Sequence, residues 1–259
     1  MSSTVAVFGV GGVGSFAVEA LARCGLGRLV LIDHDVVDVT NINRQLHATT
    51  KTVGLSKTAL MKERILEINP SARVDVIDDF YLPTVDAEKF FIDRYDCVVD
   101  AIDTIGGKIG LAVECDRRGI PLVSSMGAGN KLDPTAFRAG DLFETSVDPI
   151  AKVMRKKLKE LGIKKLRVVY STEPPRRLEP TEKNFFQNTE PGADDAGWEP
   201  LRMLGAEHDG RERRRRPSKS LPMSDGSGRK IIGSISFVPS VAGLILAGEA
   251  VKILVSDLL

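Results

Sequence analysis

The sequence predicts a doubly wound α/β fold, in which a mainly parallel β-sheet lies between two layers of helices. Two observations indicate it. Short apolar runs alternate with helix-length amphipathic segments up to Ser125, and a glycine-rich loop joins the first run to the first helix. Parallel strands need long crossover connections, so this alternation is typical of repeated βα units. At 259 residues and 42% hydrophobic content, the chain is long enough to bury a substantial core.

The first unit is a strand over 4–8, where apolar and β-branched residues dominate, followed by a helix over 14–24. Apolar residues recur through this helix at helical spacing, and Gly25 is a typical helix stop. A second strand over 28–33 completes a βαβ unit with a right-handed crossover.

The later elements repeat this alternation. An amphipathic helix over 55–68 ends before Pro70, because a residue that precedes proline disfavours helical backbone. The remaining predicted elements are strands over 74–77, 97–103, 121–125 and 167–170, and helices over 87–92, 109–118 and 150–161.

Composition divides the chain into three parts. Residues 1–173 form the predicted nucleotide-binding domain. Residues 174–230 are rich in Pro, Gly, Ser, Asp, Glu and Arg, and we predict a disordered insertion because such a segment has little apolar surface to bury. Residues 231–259 are a C-terminal extension whose apolar helix completes the domain. Charges within it, Glu249 and Lys252, favour a buried or dimer-facing helix over a membrane span.

The composition also excludes several classes of protein. A formal net charge of +1 gives no whole-molecule field that would indicate a nucleic-acid partner. Three cysteines without a C-x-x-C pair argue against a disulfide scaffold and a four-cysteine zinc site. The N-terminus has no basic or amphipathic leader, so we predict a cytoplasmic protein without a signal or transit peptide.

A phosphate-binding loop is predicted between the first strand and the first helix. Gly9, Gly11, Gly12 and Gly14 lie there and contain the G-x-G-x-x-G spacing, and Asp33 closes the next strand. Glycines let the backbone approach a phosphate, the helix amides stabilise its charge, and the aspartate can accept from ribose hydroxyls. This motif alone fits NAD as well as ATP.

Polar residues after the second strand favour ATP. They are Asp35, Asn41, Asn43, Arg44 and Lys57. A triphosphate that undergoes nucleotidyl transfer needs cations around its phosphates, which an arginine and a lysine near a helix N-terminus supply. Taken singly, Arg44 and Lys57 fit better as solvated surface charges, which is the usual position of such residues; their order along the chain favours the nucleotide.

The order D-x-D, N-x-N-R-Q and V-G-x-x-K resembles the ThiF, MoeB and ubiquitin-activating (E1) adenylating superfamily, which has a Rossmann-like ATP-binding domain. The resemblance implies that Asp33, with Asp35 nearby, holds the ribose. It also implies roles for the residues around the adenylate and phosphates, which are Asn41, Asn43, Arg44 and Lys57.

Asp103 is the metal ligand that the same resemblance implies, at the end of a strand facing the nucleotide. Mg²⁺ commonly uses one or two carboxylates together with phosphate oxygens. We therefore expect Arg44, Lys57 and Asp103 to be the catalytic residues, with ATP and Mg²⁺ bound. Asp100 is expected to be structural.

Further motifs resemble a narrower branch, the tRNA threonylcarbamoyladenosine dehydratase family. They are Leu46-His47-Ala48, the run from Gly127 to Thr135, and Val169-Tyr170-Ser171-x-Glu173, within a match over 4–173 and 231–255. Members activate the carboxylate of N6-threonylcarbamoyladenosine at tRNA position 37 with ATP, and loss of AMP closes a cyclic product. The resemblance implies a tRNA substrate, a homodimer and a sulfur-relay protein partner.

The cysteines support this branch, because Cys24, Cys97 and Cys115 are expected to be buried hydrophobes rather than catalytic thiols. Ring closure by the substrate's own carbonyl oxygen needs no enzyme nucleophile.

Two basic clusters are candidate tRNA contacts. One lies on and after the helix at 150–161, and the other is the arginine run 211–216. The cations of the first are Lys152, Arg155, Lys156, Lys157, Lys159, Lys164, Lys165 and Arg167. A merely solvated face fits the first equally well, and disorder or a localisation signal fits the second.

The chain departs from the family at its start, since family members begin with helices that here would precede Thr4. In the superfamily an arginine from that region can reach the neighbouring subunit's ATP. Three alternatives to the dehydratase stay open: an E1-like activator of a ubiquitin-like or sulfur-carrier protein, an NAD-dependent oxidoreductase, and a non-catalytic nucleotide-binding scaffold.

Overall fold

A seven-stranded β-sheet forms the centre of the protein. The computed structural model describes residues 3–83, 87–91, 93–176 and 233–256. The strands are β1 (Thr4–Phe8), β2 (Arg28–Ile32), β3 (Arg73–Ile77), β4 (Cys97–Asp100), β5 (Leu122–Ser125), β6 (Phe137–Asp141) and β7 (Arg167–Ser171). The helices are α1 (Gly14–Arg23), α2 (Lys57–Ile68), α3 (Ala87–Phe90), α4 (Ile105–Arg118), α5 (Pro149–Glu160) and α6 (Phe237–Leu254).

The strands follow the order β3-β2-β1-β4-β5-β7-β6. All neighbouring pairs are parallel except β6 and β7, which are antiparallel. The chain builds the sheet outward from β1 to β3 and then returns to place β4 on the other side of β1. Ligands bind doubly wound sheets where the order reverses, beyond the carboxyl ends of the strands. The doubly wound, mainly parallel fold predicted from the sequence is confirmed.

Each face of the sheet has its own hydrophobic core. On one face Val18, Leu21, Met61 and Leu246 bring α1, α2 and α6 against the strands. On the other face α3, α4 and α5 bury Phe90, Leu111, Met154 and Leu158. Removal of each such side chain from water stabilises the fold by about 1.5–3 kcal/mol, so both faces hold the strands in register.

The closing helix α6 packs closely on α1. A Cβ atom on Gly243 would lie 2.2 Å from the carbonyl oxygen of Val13, so glycine permits this approach. By length and composition α6 could cross a membrane, but 44% of it is buried. Ala242, Leu246 and Ala250 belong to the core on the α1 face of the sheet, which agrees with the core helix expected from the sequence.

Several boundaries differ from the prediction. Strand β6 was not predicted, because the segment Phe-Arg-Ala-Gly-Asp contains no β-branched residue and three residues that are depleted in strands; it pairs with β7. Helix α4 begins at Ile105 rather than at 109. Gly106 and Gly107 are poor helix formers, but a Cβ atom on Gly107 would lie 2.8 Å from Oγ1 of the N-cap residue Thr104 and 3.2 Å from Cγ2 of Ile102, so glycine permits this close first turn.

Residues Met1–Arg176 and Gly233–Leu259 form one compact unit. Of the predicted disordered insertion, residues 177–230 lie outside the described residues, as does the arginine run 211–216. The division into 1–173, 174–230 and 231–259 stays a prediction.

Candidate nucleotide site

The glycine loop between β1 and α1 has the geometry of a phosphate cradle. Gly9 has a φ of +86°, and a Cβ atom there would lie 2.7 Å from the carbonyl oxygen of Ala101. At Gly14 a Cβ atom would be 1.8 Å from the carbonyl oxygen of Gly9. No side chain caps the N-terminus of α1 at Val13. The amide of Ser15 already donates to the Gly11 carbonyl oxygen over 2.9 Å, which leaves the amides of Gly14 and Phe16 as the first-turn donors available to an anion.

Asp33 holds this loop to the end of β2. Its Oδ2 accepts a 2.6 Å hydrogen bond from the amide of Val10, and its Oδ1 accepts one of 2.9 Å from the amide of Asp35. The carboxylate is half-buried. An ionised carboxylate has about four acceptor positions, so these two bonds leave capacity for the ribose hydroxyls that the sequence predicts as its partners.

Lys57 begins α2 and points towards the same region. Its side chain is 5% exposed, and Nζ lies 2.5 Å from Oδ2 of Asp35, which is 48% exposed. The Lys57 amide also donates to the Asp35 carbonyl oxygen over 3.2 Å. The structure therefore presents an oriented ammonium group whose counterion, Asp35, is solvated. A phosphate can compete with Asp35 for the Lys57 ammonium.

Arg44 lies against the glycine loop. The position that a Cβ atom of Gly12 would take is 3.3 Å from Cγ of Arg44. Its Nη1 donates to the Thr40 carbonyl oxygen at 2.7 Å and to Oδ1 of Asn43 at 2.9 Å. Burial lowers the pKa of Arg44, and the charge of Asp103 opposes this shift. Arg44, Gly12 and Asp103 are thus brought together from three separate segments.

The two predicted asparagines hold the backbone. Asn41 is buried, and its Oδ1 accepts from the amide of Asp38 over 3.1 Å in a capping box. Asn43 is exposed, and its Nδ2 donates over 3.0 Å to the carbonyl oxygen of Ser234. Asn43 therefore joins the nucleotide loop to the segment that leads into α6.

Asp103 lies exposed on the turn between β4 and α4. Asp33, His34 and Asp35 form a separate group whose ligand atoms lie within 4.8 Å of one another. Two backbone amides and the Lys57 ammonium already engage that group. A solvated carboxylate beside the phosphate loop fits Mg²⁺, which takes its other ligands from phosphates and water, so Asp103 stays the predicted metal ligand.

Comparison with known proteins decides the family. A model described as the ThiF family matches residues 1–257. This chain belongs to the ThiF family. It is 46% identical over 258 residues to a tRNA threonylcarbamoyladenosine dehydratase of Bacillus subtilis (strain 168), covering 99% of this chain and 89% of that protein. The counterpart from Escherichia coli (strain K12) is 48% identical over 162 residues, 62% of this chain and 60% of that protein.

Solved structures agree with the sequence comparison. The crystal structure of E. coli TcdA in complex with AMP matches with a TM-score of 0.74 and 34% identity, over 99% of this chain and 87% of that one. The complex of E. coli TcdA with ATP matches with a TM-score of 0.74 and 33% identity, over the same shares. The predicted resemblance to tRNA threonylcarbamoyladenosine dehydratases is therefore confirmed for this ThiF-family chain.

A buried ion pair under the ThiF-family nucleotide site was missed by sequence reasoning. Nζ of Lys108 lies 3.1 Å and 3.2 Å from the carboxylate oxygens of Asp100, and both side chains are buried. Asp100 also accepts from Ser124 and from the amide of Ile102. Burial leaves this carboxylate unavailable to a metal, as the structural role expected for Asp100 requires.

His47 is a second unexpected feature. The residue is 7% exposed, and neither ring nitrogen has a hydrogen-bond partner among the described residues. Burial lowers the pKa of His47 to about 4, and the nearby charge of Lys57 contributes. The imidazole is therefore neutral at physiological pH. Of the other two histidines, His34 is exposed and His208 lies outside the described residues.

The loop after β5 holds together both ends of the predicted insertion. Asn130 has a φ of +58°, its amide donates to the Gly233 carbonyl oxygen at 2.8 Å, and its own carbonyl oxygen accepts from Arg176 at 2.7 Å. Beside it, buried Lys131 donates from Nζ to the carbonyl oxygen of Glu173 at 2.7 Å. The run from Gly127 to Thr135 is thus fixed at the carboxyl edge of the sheet, next to the nucleotide site.

The expectation for the cysteines was wrong at one position. Cys97 and Cys115 are buried, and burial raises the pKa of Cys97 to about 12. Cys24 is exposed at the end of α1, because the helix closes one residue earlier than predicted and leaves it at the cap. That end of α1 is remote from the glycine loop at the start of the helix.

The basic face of α5 needs a similar correction. Arg155 turns inward, where Nη1 donates to the Thr145 carbonyl oxygen at 2.6 Å. Lys157 pairs with Glu160, and Arg167 pairs with Glu249. The cations left without an ion pair to any described residue are Lys152, Lys156, Lys159, Lys164 and Lys165.

Proposed function

We propose that this protein is an ATP-dependent tRNA threonylcarbamoyladenosine dehydratase. It adenylates the carboxylate of N6-threonylcarbamoyladenosine at tRNA position 37 and cyclises it with net loss of water. The observation that carries this proposal is the convergence of Arg44, Lys57 and Asp103 on the glycine loop. Nucleotidyl transfer needs such charges, whereas hydride transfer to a dinucleotide does not.

Arg44 and Lys57 act on the phosphates. When the substrate carboxylate attacks the α-phosphorus of ATP, negative charge moves onto the leaving pyrophosphate. Asp35 holds the Lys57 ammonium in place, and the Thr40 carbonyl oxygen holds the Arg44 guanidinium. Neither cation must therefore be ordered during the reaction. Groups held in place before the reaction stabilise the transition state most effectively.

Ring closure follows on the substrate itself. Its carbamoyl oxygen attacks the activated carboxyl carbon, the bond from that carbon to the phosphate oxygen breaks so that AMP leaves, and the neighbouring carbamoyl nitrogen loses its proton to solvent. Intramolecular attack replaces an enzyme nucleophile, and the remote or buried positions of Cys24, Cys97 and Cys115 fit a reaction without one.

Magnesium belongs to this proposal as a phosphate-bound ion next to Asp103. The ion supplies charge neutralisation at the triphosphate when bound. Asp103 is exposed, and its charge opposes the fall in the pKa of Arg44 that burial causes. Asp103 would hold the metal ion, which would take its other ligands from phosphate oxygens and water.

A homodimer is also part of the proposal. The outward side of α6 carries Phe237, Leu244 and Gly248 at four- and seven-residue spacings, which place them in one row, and all three are exposed. Apolar residues in such a row suit a second helix of the same kind, and a Cβ atom on Gly248 would meet nothing within 4 Å. The sulfur-relay partner and the cytoplasmic location stay predictions.

The test is a water-loss assay. The full chain is incubated with ATP, Mg²⁺ and threonylcarbamoylated tRNA, and the mass of the modified nucleoside is measured by mass spectrometry. We expect the mass of one water to be lost with ATP and kept without it. An unchanged nucleoside, together with pyrophosphate exchange that depends on a carrier protein ending in Gly-Gly, would replace the dehydratase with the E1-like activator.

A further inference from the structure

We infer that one face of α5 binds the phosphate backbone of the tRNA through a row of lysines, Lys152, Lys156 and Lys159. This inference rests on the proposed function and adds to it the surface along which the RNA lies. The row starts beside the loop that carries Gly127 and extends away from the nucleotide site.

The three lysines form a single row because of their spacing. Positions i, i+4 and i+7 of a helix lie on one side, with neighbours about 5–6 Å apart. The buried residues Ala151, Met154 and Leu158 occupy the opposite side and fix the rotation of the helix. The row is therefore held towards solvent over about 10 Å of helix length.

Nothing in the described part of the chain neutralises this row. Each of the three side chains is exposed, and none makes an ion pair with a described residue. Glu160 is the one acidic residue of the helix, and it pairs with Lys157. Helix stability does not account for Lys152, because a cation in the first turns faces the positive end of the helix dipole.

The start of α5 is tied to the active edge of the sheet. Asp148 caps the helix by accepting from the amides of Ile150 and Ala151. Its Oδ2 lies 3.9 Å from Nζ of Lys131 and 3.3 Å from the position of a Cβ atom on Gly127. The first turn of α5, from which the lysine row extends, therefore lies at the carboxyl edge of the sheet where the nucleotide is proposed to bind.

The ligand chemistry is a chain of phosphates rather than bases. Lysine is a flexible point charge suited to phosphate, and α5 has no aromatic residue on which a base could stack. Lys164 and Lys165, exposed beyond the end of α5, extend the same charge towards β7. A polyanion that follows the helix thus meets cations along its whole length.

The experiment compares two triple variants of the full chain in tRNA binding between 50 and 200 mM salt. The test variant replaces Lys152, Lys156 and Lys159 with glutamine. The control removes the same charge away from α5 through Lys51→Gln, Lys62→Gln and Arg94→Gln, none of which makes an ion pair with a described residue. We expect the test variant to lower tRNA affinity about tenfold at 50 mM salt and to reduce the salt slope by about 2–3, with KM for tRNA raised and kcat retained.

Equal affinity and slope in the test variant and the wild-type chain would overturn the inference, as would an equal loss in the control. Matching thermal midpoints and ATP affinities show that both variants are folded. The wild-type water-loss assay separates the two proposals. Water loss with an unaffected test variant rejects the lysine row alone, whereas tRNA binding through the row without water loss rejects the dehydratase. A wild-type chain that binds no tRNA rejects both.

Discussion

At the residue scale, the hydrogen-bond and ion-pair partners of each cation decide how much of its charge is available to a nucleotide. Lys57 is almost fully buried yet keeps a counterion, Asp35, that stays in contact with water. Arg44 is held by a carbonyl oxygen and an amide oxygen, neither of which neutralises it. Both cations therefore keep a charge that a triphosphate can use.

Replacement of either cation should lower the rate of adenylation. We expect Arg44→Ala and Lys57→Ala each to cost on the order of 2–4 kcal/mol of transition-state stabilisation, as for loss of one preorganised electrostatic group. Lys62→Ala, on the same helix as Lys57 but without an ion pair to any residue that the structure describes, is the control. Single-turnover formation of AMP measures the effect, and unchanged rates in both site variants would refute the assignment.

His47 should make stability depend on pH. Its folded-state pKa of about 4 lies below the ordinary value of 6.5, so between these values the unfolded chain binds more protons. The free energy of unfolding therefore rises with pH through that window. A shift of this size corresponds to roughly 3 kcal/mol when complete, lost as the pH falls from 6.5 to 4.

Urea unfolding of the wild-type chain and of His47→Gln at pH 7 and pH 4.5 tests this assignment. Carboxylates contribute equally to both proteins, so the difference between them isolates the histidine. The exposed His34→Gln is the control and should behave like the wild-type chain. An identical loss of stability on acidification in the His47 variant would show that another group is responsible.

At the element scale, the glycines of the loop between β1 and α1 have separable roles. A Cβ atom on Gly14 would overlap the carbonyl oxygen of Gly9, whereas on Gly11 its nearest neighbour is Nε2 of Gln45 at 3.8 Å. Gly14 is thus required by the fold. At Gly11 the fold has room for a methyl group, but that group would enter the space where a phosphate would approach.

We expect Gly14→Ala to lower the free energy of unfolding by about 2 kcal/mol or more, because backbone must move to admit the methyl group. Gly11→Ala should leave stability within about 0.5 kcal/mol and weaken ATP binding instead. Chemical unfolding and calorimetric titration with ATP measure the two effects. If Gly11→Ala binds ATP like the wild-type chain, the phosphate does not lie on this loop.

The elements that the sequence predicted best are those with strong local signals. Strand β1 and the helix stop at Gly25 depend on neighbouring residues alone. Strand β6 depends on β7, and the start of α4 depends on how Gly107 packs. In the site, spacing predicted Arg44 and Lys57, but the pairing of Lys108 with Asp100 depends on burial between β4, β5 and α4, which no local pattern contains.

At the scale of the whole molecule, the order of strands brings distant segments to one edge of the sheet. Gly12 comes from the loop after β1, Arg44 from the segment after β2 and Asp103 from the turn after β4. Asn43 adds a tie to Ser234, in the segment that leads into α6. A nucleotide bound there would contact segments that are far apart along the chain, so its binding should stabilise the fold as a whole.

Thermal unfolding with different nucleotides therefore distinguishes the adenylating enzyme from an NAD-dependent oxidoreductase. At one hundred times its dissociation constant a ligand adds about 2.7 kcal/mol of stability. For a domain of this size that corresponds to a rise in Tm of about 5–10 °C. We expect ATP with Mg²⁺ to give this rise and NAD to give none, since Arg44 and Lys57 are placed for a triphosphate. In a chain with both Arg44→Ala and Lys57→Ala the rise should disappear. Stabilisation by NAD that survives this double change would mean that the glycine loop and Asp33 alone define the ligand, and the site would be a dinucleotide site.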